Sequence, residues 1–158
     1  MGRLLDALAR AFAFAGGAVL VGVTGMSVAS IAGRALRGTP VPGDFELVQV
    51  CSAAAIAAFL PYCQLRRGHI IVDFFTARAP RRVQDGLDAF GALLLTGVMA
   101  VLAWRTLLGL LTVKASREIT MIVGFPVWIG YAAIVPSLVL ATIVGLYTTV
   151  EALRGRRD

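Results

Sequence analysis

The sequence predicts an all-α integral membrane protein: four transmembrane helices, with an amphipathic interfacial connector on the cytoplasmic side between helices 2 and 3. Three observations predict it. Of 158 residues, 58% are hydrophobic and only 15% charged, and the mean hydropathy is +0.83, outside the range of ordinary soluble domains. Four stretches long enough to cross a hydrocarbon core of about 30 Å are almost free of charge. The basic residues gather in alternate connecting segments, as they do in a chain that crosses a bilayer repeatedly.

Residues 11–33 carry no charge, and at about 1.5 Å per residue they reach about 34 Å, so they form helix 1. Arg3 and Arg10 before this apolar run could also introduce a secretory signal, but the run exceeds the roughly 7 to 15 residues of a signal's apolar region. The stretch "GTPVPGD", residues 38–44, has two prolines and two glycines and closes a short loop. Helix 2 covers 47–65, and Pro61 near its exit makes it short or bent at that end. Helix 3 covers 89–113 and is uncharged except for Arg105. Helix 4 starts at about Pro126 and spans 127–150, with Pro136 expected to kink it. Trp128, Tyr131 and Tyr147 suit the aromatic belts at the two membrane surfaces. With no internal repeat or low-complexity tract, residues 1–158 are expected to form one four-helix membrane domain.

Charge sets the direction. Ten Lys and Arg fall in the N-terminal segment, the middle connector and the tail, against Arg34, Arg37, Lys114 and Arg117 in the other two loops. Positive charge is retained on the cytoplasmic side, so both termini and the middle connector are expected there. The net charge of +6 then faces anionic phospholipid, and no nucleic-acid-binding signature accompanies it.

The connector contains the one dense polar cluster, "LRRGHIIVDFF" at 65–75. On a helix Arg66, His69 and Asp73 share a face, while Ile70, Ile71, Phe74 and Phe75 take the other. That pattern describes a helix lying in the headgroup plane. A metal site on His69 and Asp73 has too few ligands, and His69 is the only histidine, which also excludes a haem held between two imidazoles. No nucleophile elbow, paired intramembrane carboxylates or phosphate loop is present, so no enzyme activity and no cofactor is expected. Cys51 and Cys63 are about 18 Å apart on one helix, too far for a disulfide. The glycines, as in "FAGGAVLVGVTG", read as close-packing positions between helices.

Arg105 is the one ionisable residue well inside a span. It has two readings: contact with a lipid headgroup, reached by snorkelling toward the external surface, or a polar contact with another subunit. Glu46, at the start of helix 2, reads as a solvated carboxylate favoured by the helix dipole. No span carries the midplane carboxylate of an independent ion-coupled transporter, so the chain is expected to work with a partner.

Three stretches carry a family resemblance: "GDFELVQV" opening helix 2, "LRRGHIIVDFFTARAPRRVQDGLD" between helices 2 and 3, and "TMIVGFPVWIGYAAIVPSLVL" through helix 4. Within them, Arg67 to Asp73 and Pro126 to Tyr131 are the most specific parts. In these the chain resembles the small membrane subunit of the tripartite ATP-independent periplasmic (TRAP) transporters, the DctQ-like or Q subunit. The resemblance implies a three-part importer in the bacterial inner membrane. A periplasmic solute-binding protein captures an organic acid or similar solute, a large membrane subunit moves it with sodium, and the small subunit braces the large one. It further implies that Arg66, Arg67, His69 and Asp73 lie at the cytoplasmic rim, touching the large subunit or phospholipid. Arg105, Trp128 and Tyr131 complete the expected partner or lipid surface. Where family members often carry an acidic residue near the end of helix 2, this chain has Gln64.

Three other readings compete. The small subunit of a tricarboxylate-type tripartite carrier has a similar architecture. A self-sufficient small multidrug-type transporter needs an embedded carboxylate, and residues 11–33 have none. An anchor for a redox complex conflicts with the lone His69.

Overall fold

The computed structural model describes residues 2–39, 41–66 and 81–153. Helix α1 runs Gly2–Arg37, α2 Asp44–Leu65, α3 Arg81–Ser116 and α4 Trp128–Leu153. Each is long and apolar enough to cross a membrane, and no β-strand occurs among the described residues beyond the single bridge Ile119–Pro126. The expected all-α membrane architecture is therefore present. The connector from Arg67 to Pro80, with its predicted interfacial helix, lies outside the described residues.

The helices outrun the apolar limits read from sequence. α1 and α3 each have 36 residues, about 54 Å against a hydrocarbon thickness of about 30 Å. The reason is that charge ends a hydrocarbon span without ending a helix. Arg10 and Asp6, one turn apart in α1, form an ion pair that supports the extra turns. Conversely, α4 begins two residues after Pro126, which sits in the bridge with Ile119 instead of the first helical turn. Pro61 does not stop α2: the helix continues to Leu65, and the Arg66 N–H closes it on the Tyr62 carbonyl at 3.0 Å. It remains the shortest helix at 22 residues. α4 likewise continues through Pro136.

Backbone chemistry explains the ends. Gly38 adopts φ 71° and donates its N–H to the Arg34 carbonyl at 3.1 Å, closing α1. α3 ends on the same principle with a residue that pays more for it: Arg117 takes φ 54°, and Glu118 donates back to Val113 at 3.4 Å.

In the membrane plane the helices stand in the order α1, α2, α4, α3. α2 packs on both α1 and α4, α4 packs on α3, and α1 only brushes α4. α2 and α4 run parallel, since Val50 lies beside Gly130 at one end and Gln64 beside Gly145 at the other. Small residues let the backbones approach. A Cβ on Gly16 would stand 3.0 Å from the Ala55 carbonyl oxygen, and one on Gly109 3.0 Å from the Tyr131 ring. On α3, the positions Ala92, Thr96, Met99, Ala103, Thr106, Leu110 and Val113 recur at steps of four and three and turn inward. This seam meets α4 as in a coiled coil. Met99 and Ala103 there form the core with Leu138 and Ala141 of α4, closed off by Leu60 of α2. The inner position of α4 shows in its burial: 39% of its apolar window is enclosed, against 6% for α1.

Candidate functional site

The row has a loop end, where both hairpin turns lie, and a terminal end, where α1 begins and α4 ends. Polar side chains gather at each, by different means.

At the loop end, Ser30 of α1 is fully buried and donates through Oγ to Asp44 Oδ2 at 2.5 Å. The same oxygen accepts the Val41 N–H at 3.2 Å. This clasp holds the first hairpin. The second loop, residues 117–127, folds on itself: Thr120 donates its N–H to Phe125 O at 2.9 Å, and Val127 donates to Glu118 O at 3.1 Å. The N–H groups of Ile122 and Val123 at its tip point outward. Glu46, in the first turn of α2, accepts both, Ile122 on Oε1 at 2.9 Å and Val123 on Oε2 at 3.0 Å. The expectation of a merely solvated Glu46 is thereby corrected. A charged acceptor with two backbone donors is among the stronger hydrogen-bond arrangements, and here it ties the two hairpins together. Gly43 lies beneath this contact with φ 73°, and a Cβ there would fall on Val123 Cγ2. Only glycine meets both demands.

At the terminal end the tie is partly ionic. Asp6 pairs with Arg10 on its own helix and lies 3.7 Å from Arg66 at the end of α2. The Arg66 guanidinium also stands 5.4 Å over the Tyr62 ring. One turn deeper lies a buried group of hydroxyls and one amide: Gln64, Thr96, Thr148 and Thr149. Thr96 Oγ1 donates to the Ala92 carbonyl at 2.6 Å and stands 3.5 Å from Thr149 Oγ1. Thr149 in turn donates to the Gly145 carbonyl at 2.8 Å. Gly145 makes the convergence possible, for a Cβ on it would come within 2.5 Å of Thr96 Oγ1 and 3.2 Å of Gln64 Nε2. Every buried side-chain nitrogen and oxygen among the described residues has a partner. The threonine hydroxyls bond carbonyls of their own helices, so this cluster brings three helices together by close fit at Gly145 and carries no formal charge. A carboxylate in place of Gln64 would carry a desolvation cost there that the amide avoids.

The residues expected to form a partner or lipid surface are dispersed. Arg66 caps α2 as described. Arg67, His69 and Asp73 lie outside the described residues. Trp128 opens α4 at the loop end, half-buried, with Lys114 Nζ 5.6 Å over its ring. Tyr131, one turn on, lays its ring on Gly109 of α3. Arg105 is exposed on the outer side of α3, with no ion pair or hydrogen bond to any described residue. Sequence reasoning missed Asp6, Ser30, Glu46 and the Gln64 cluster. Of these, only Asp6 with Arg10 had a local signal, the four-residue spacing. Polar residues inside apolar spans, such as Gln64 and Thr96, were the other available hint.

Residues 23–155 match the family described as "Tripartite ATP-independent periplasmic transporters, DctQ component". No curated protein and no solved structure gives a significant match. The match runs from the middle of α1 past the end of α4, and four membrane-length helices accompany it. The chain is a multi-pass membrane protein and belongs to the DctQ family, the small component of the TRAP transporters.

Proposed function

We propose that this chain is the non-catalytic scaffold subunit of a sodium-coupled TRAP transporter that imports an organic acid or similar solute. It works with a large membrane subunit and a periplasmic solute-binding protein in a bacterial inner membrane. Both termini and the connector face the cytoplasm, by the distribution of Lys and Arg. Arg66, with Arg67, His69 and Asp73 of the connector, meets phospholipid or the large subunit at the cytoplasmic rim. Trp128 and Tyr131 mark the opposite rim.

One observation carries the scaffold reading. The polar side chains buried in the described spans, Ser30, Gln64, Thr96, Ser137, Thr148 and Thr149, are all partnered within the chain: Ser30 joins α1 to Asp44 of α2, and the threonines and Ser137 bond carbonyls of their own helices. The outer faces of α1 and α3 are left apolar apart from Arg105 of α3 and single hydroxyls such as Thr24 and Thr112. Spans arranged this way supply surface for packing.

Reconstitution tests the proposal. Vesicles holding this chain with its large subunit, supplied with the binding protein and a sodium gradient, are expected to accumulate solute, and the large subunit alone to lose most of that uptake. Uptake by vesicles containing this chain alone would refute the scaffold role.

A further inference from the structure

The geometry points to an intramembrane docking site on α3: we infer that Arg105 pairs with a carboxylate borne at mid-membrane depth by the large transport subunit. This inference rests on the proposed role as a TRAP small subunit and adds the face and the chemistry of contact.

Depth comes first. Arg105 lies nine residues from Lys114, which meets Trp128 at the loop end, and nine from Thr96, in the polar cluster of the terminal end. At 1.5 Å per residue it stands about 14 Å from each. The span of α3 runs Phe90–Ser116, so Arg105 lies about 22 Å from one limit and about 16 Å from the other, within about 3 Å of the middle. The hydrocarbon boundary lies about 15 Å from the midplane and the headgroup layer extends to about 20 Å, both farther than one extended arginine side chain covers from this depth. Snorkelling therefore does not solvate this guanidinium.

The second consideration is direction. The inward seam of α3 is occupied by α4, and Arg105 is not on it. It belongs to a second stripe, Leu94, Val98, Val101, Arg105, Leu108 and Thr112, again at steps of four and three. This stripe is exposed, Val101 at 62%. α3 is at the edge of the row, so the described helices leave the stripe uncovered.

The third is charge. A guanidinium at mid-depth is expensive unless it is paired or faces water. A second copy of this chain cannot supply the partner, because its nine acidic residues are Asp6, Asp44, Glu46, Asp73, Asp85, Asp88, Glu118, Glu151 and Asp158, none of which lies in the central part of a span. The complement must come from a different membrane protein.

The chain is co-expressed with its large subunit and purified in mild detergent. Arg105→Leu is expected to recover about tenfold less large subunit or worse, since it strands a carboxylate in hydrocarbon. Arg105→Lys should retain part of the recovery. A photo-crosslinking residue at Val101, with Arg105 intact, is expected to join the large subunit, and one at Val21 on exposed α1 is not. Undiminished recovery with Arg105→Leu, or crosslinks from Val101 to phospholipid alone, overturns the inference while leaving the subunit role standing. If the wild-type chain recovers no large subunit, the subunit role itself fails and takes this inference with it.

Discussion

The loop end and the terminal end hold the same four helices by opposite means. At the loop end the ties are directional: Ser30 to Asp44, and Glu46 to the N–H groups of Ile122 and Val123. Ser30 also accepts the Val41 N–H, so backbone enters at both turns, and the Glu46 tie fixes the two turns against each other. At the terminal end the ties are an exposed ion pair and a buried cluster of neutral side chains. Turns carry backbone donors that no helix satisfies, so a carboxylate can organise them. Helix flanks have none to offer, and there contact depends on small residues and hydroxyls. The difference teaches that the loop end is set by bond geometry and the terminal end by fit.

Four substitutions break or sharpen this contrast. The largest effect is expected for Gly43→Ala, which meets both an unfavourable φ and a clash with Val123. A loss of about 2–4 kcal/mol is expected, measured by unfolding in detergent micelles. An unchanged midpoint would show that the loop end tolerates misfit as readily as any helix flank. Next, Gly145→Ala overfills the cluster between Thr96 and Gln64. It should cost about 1–3 kcal/mol, with a second change, Thr96→Ala, which removes the overlapping Oγ1, recovering part of the loss if fit is what governs this end. Glu46→Ala leaves the helices in place and should speed hydrogen exchange at the Ile122 and Val123 amides, while the α4 amides around Thr149 stay protected. Equal rates in the variant and the original would remove the carboxylate from the account. The smallest effect belongs to Asp6→Asn. Its ion pair with Arg66 is exposed and 3.7 Å long, so at most about 0.5 kcal/mol is expected, fading further in high salt.

The sequence revealed the four spans because apolar runs of about twenty residues with at most one charge have few alternatives. It set their ends less well. Arg3, Asp6 and Arg10 read as the outside of a membrane segment, and they are also turns of the same helix. The lateral order α1, α2, α4, α3 was hidden for a physical reason: helices that meet lipid are apolar all round, so no polar face shows which side packs inward. The latch at Glu46 was hidden for another. It joins residues 76 and 77 positions apart, and a carboxylate in a first helical turn already has a sufficient local explanation in the dipole. Tyr131 shows the same ambiguity. Its aromatic type suited an interfacial belt, yet its ring rests on Gly109 within the chain. Of the connector cluster, only Arg66 falls among the described residues, where it joins α1 to α2 through Asp6.

α1 and α3 stand at the two ends of the order of neighbours and do not pack on each other, so the chain turns two separate apolar faces to its surroundings. A neighbour seated on one of these faces leaves the other to lipid, and the four apolar spans resist displacement along the membrane normal, since such movement would bring apolar surface into water.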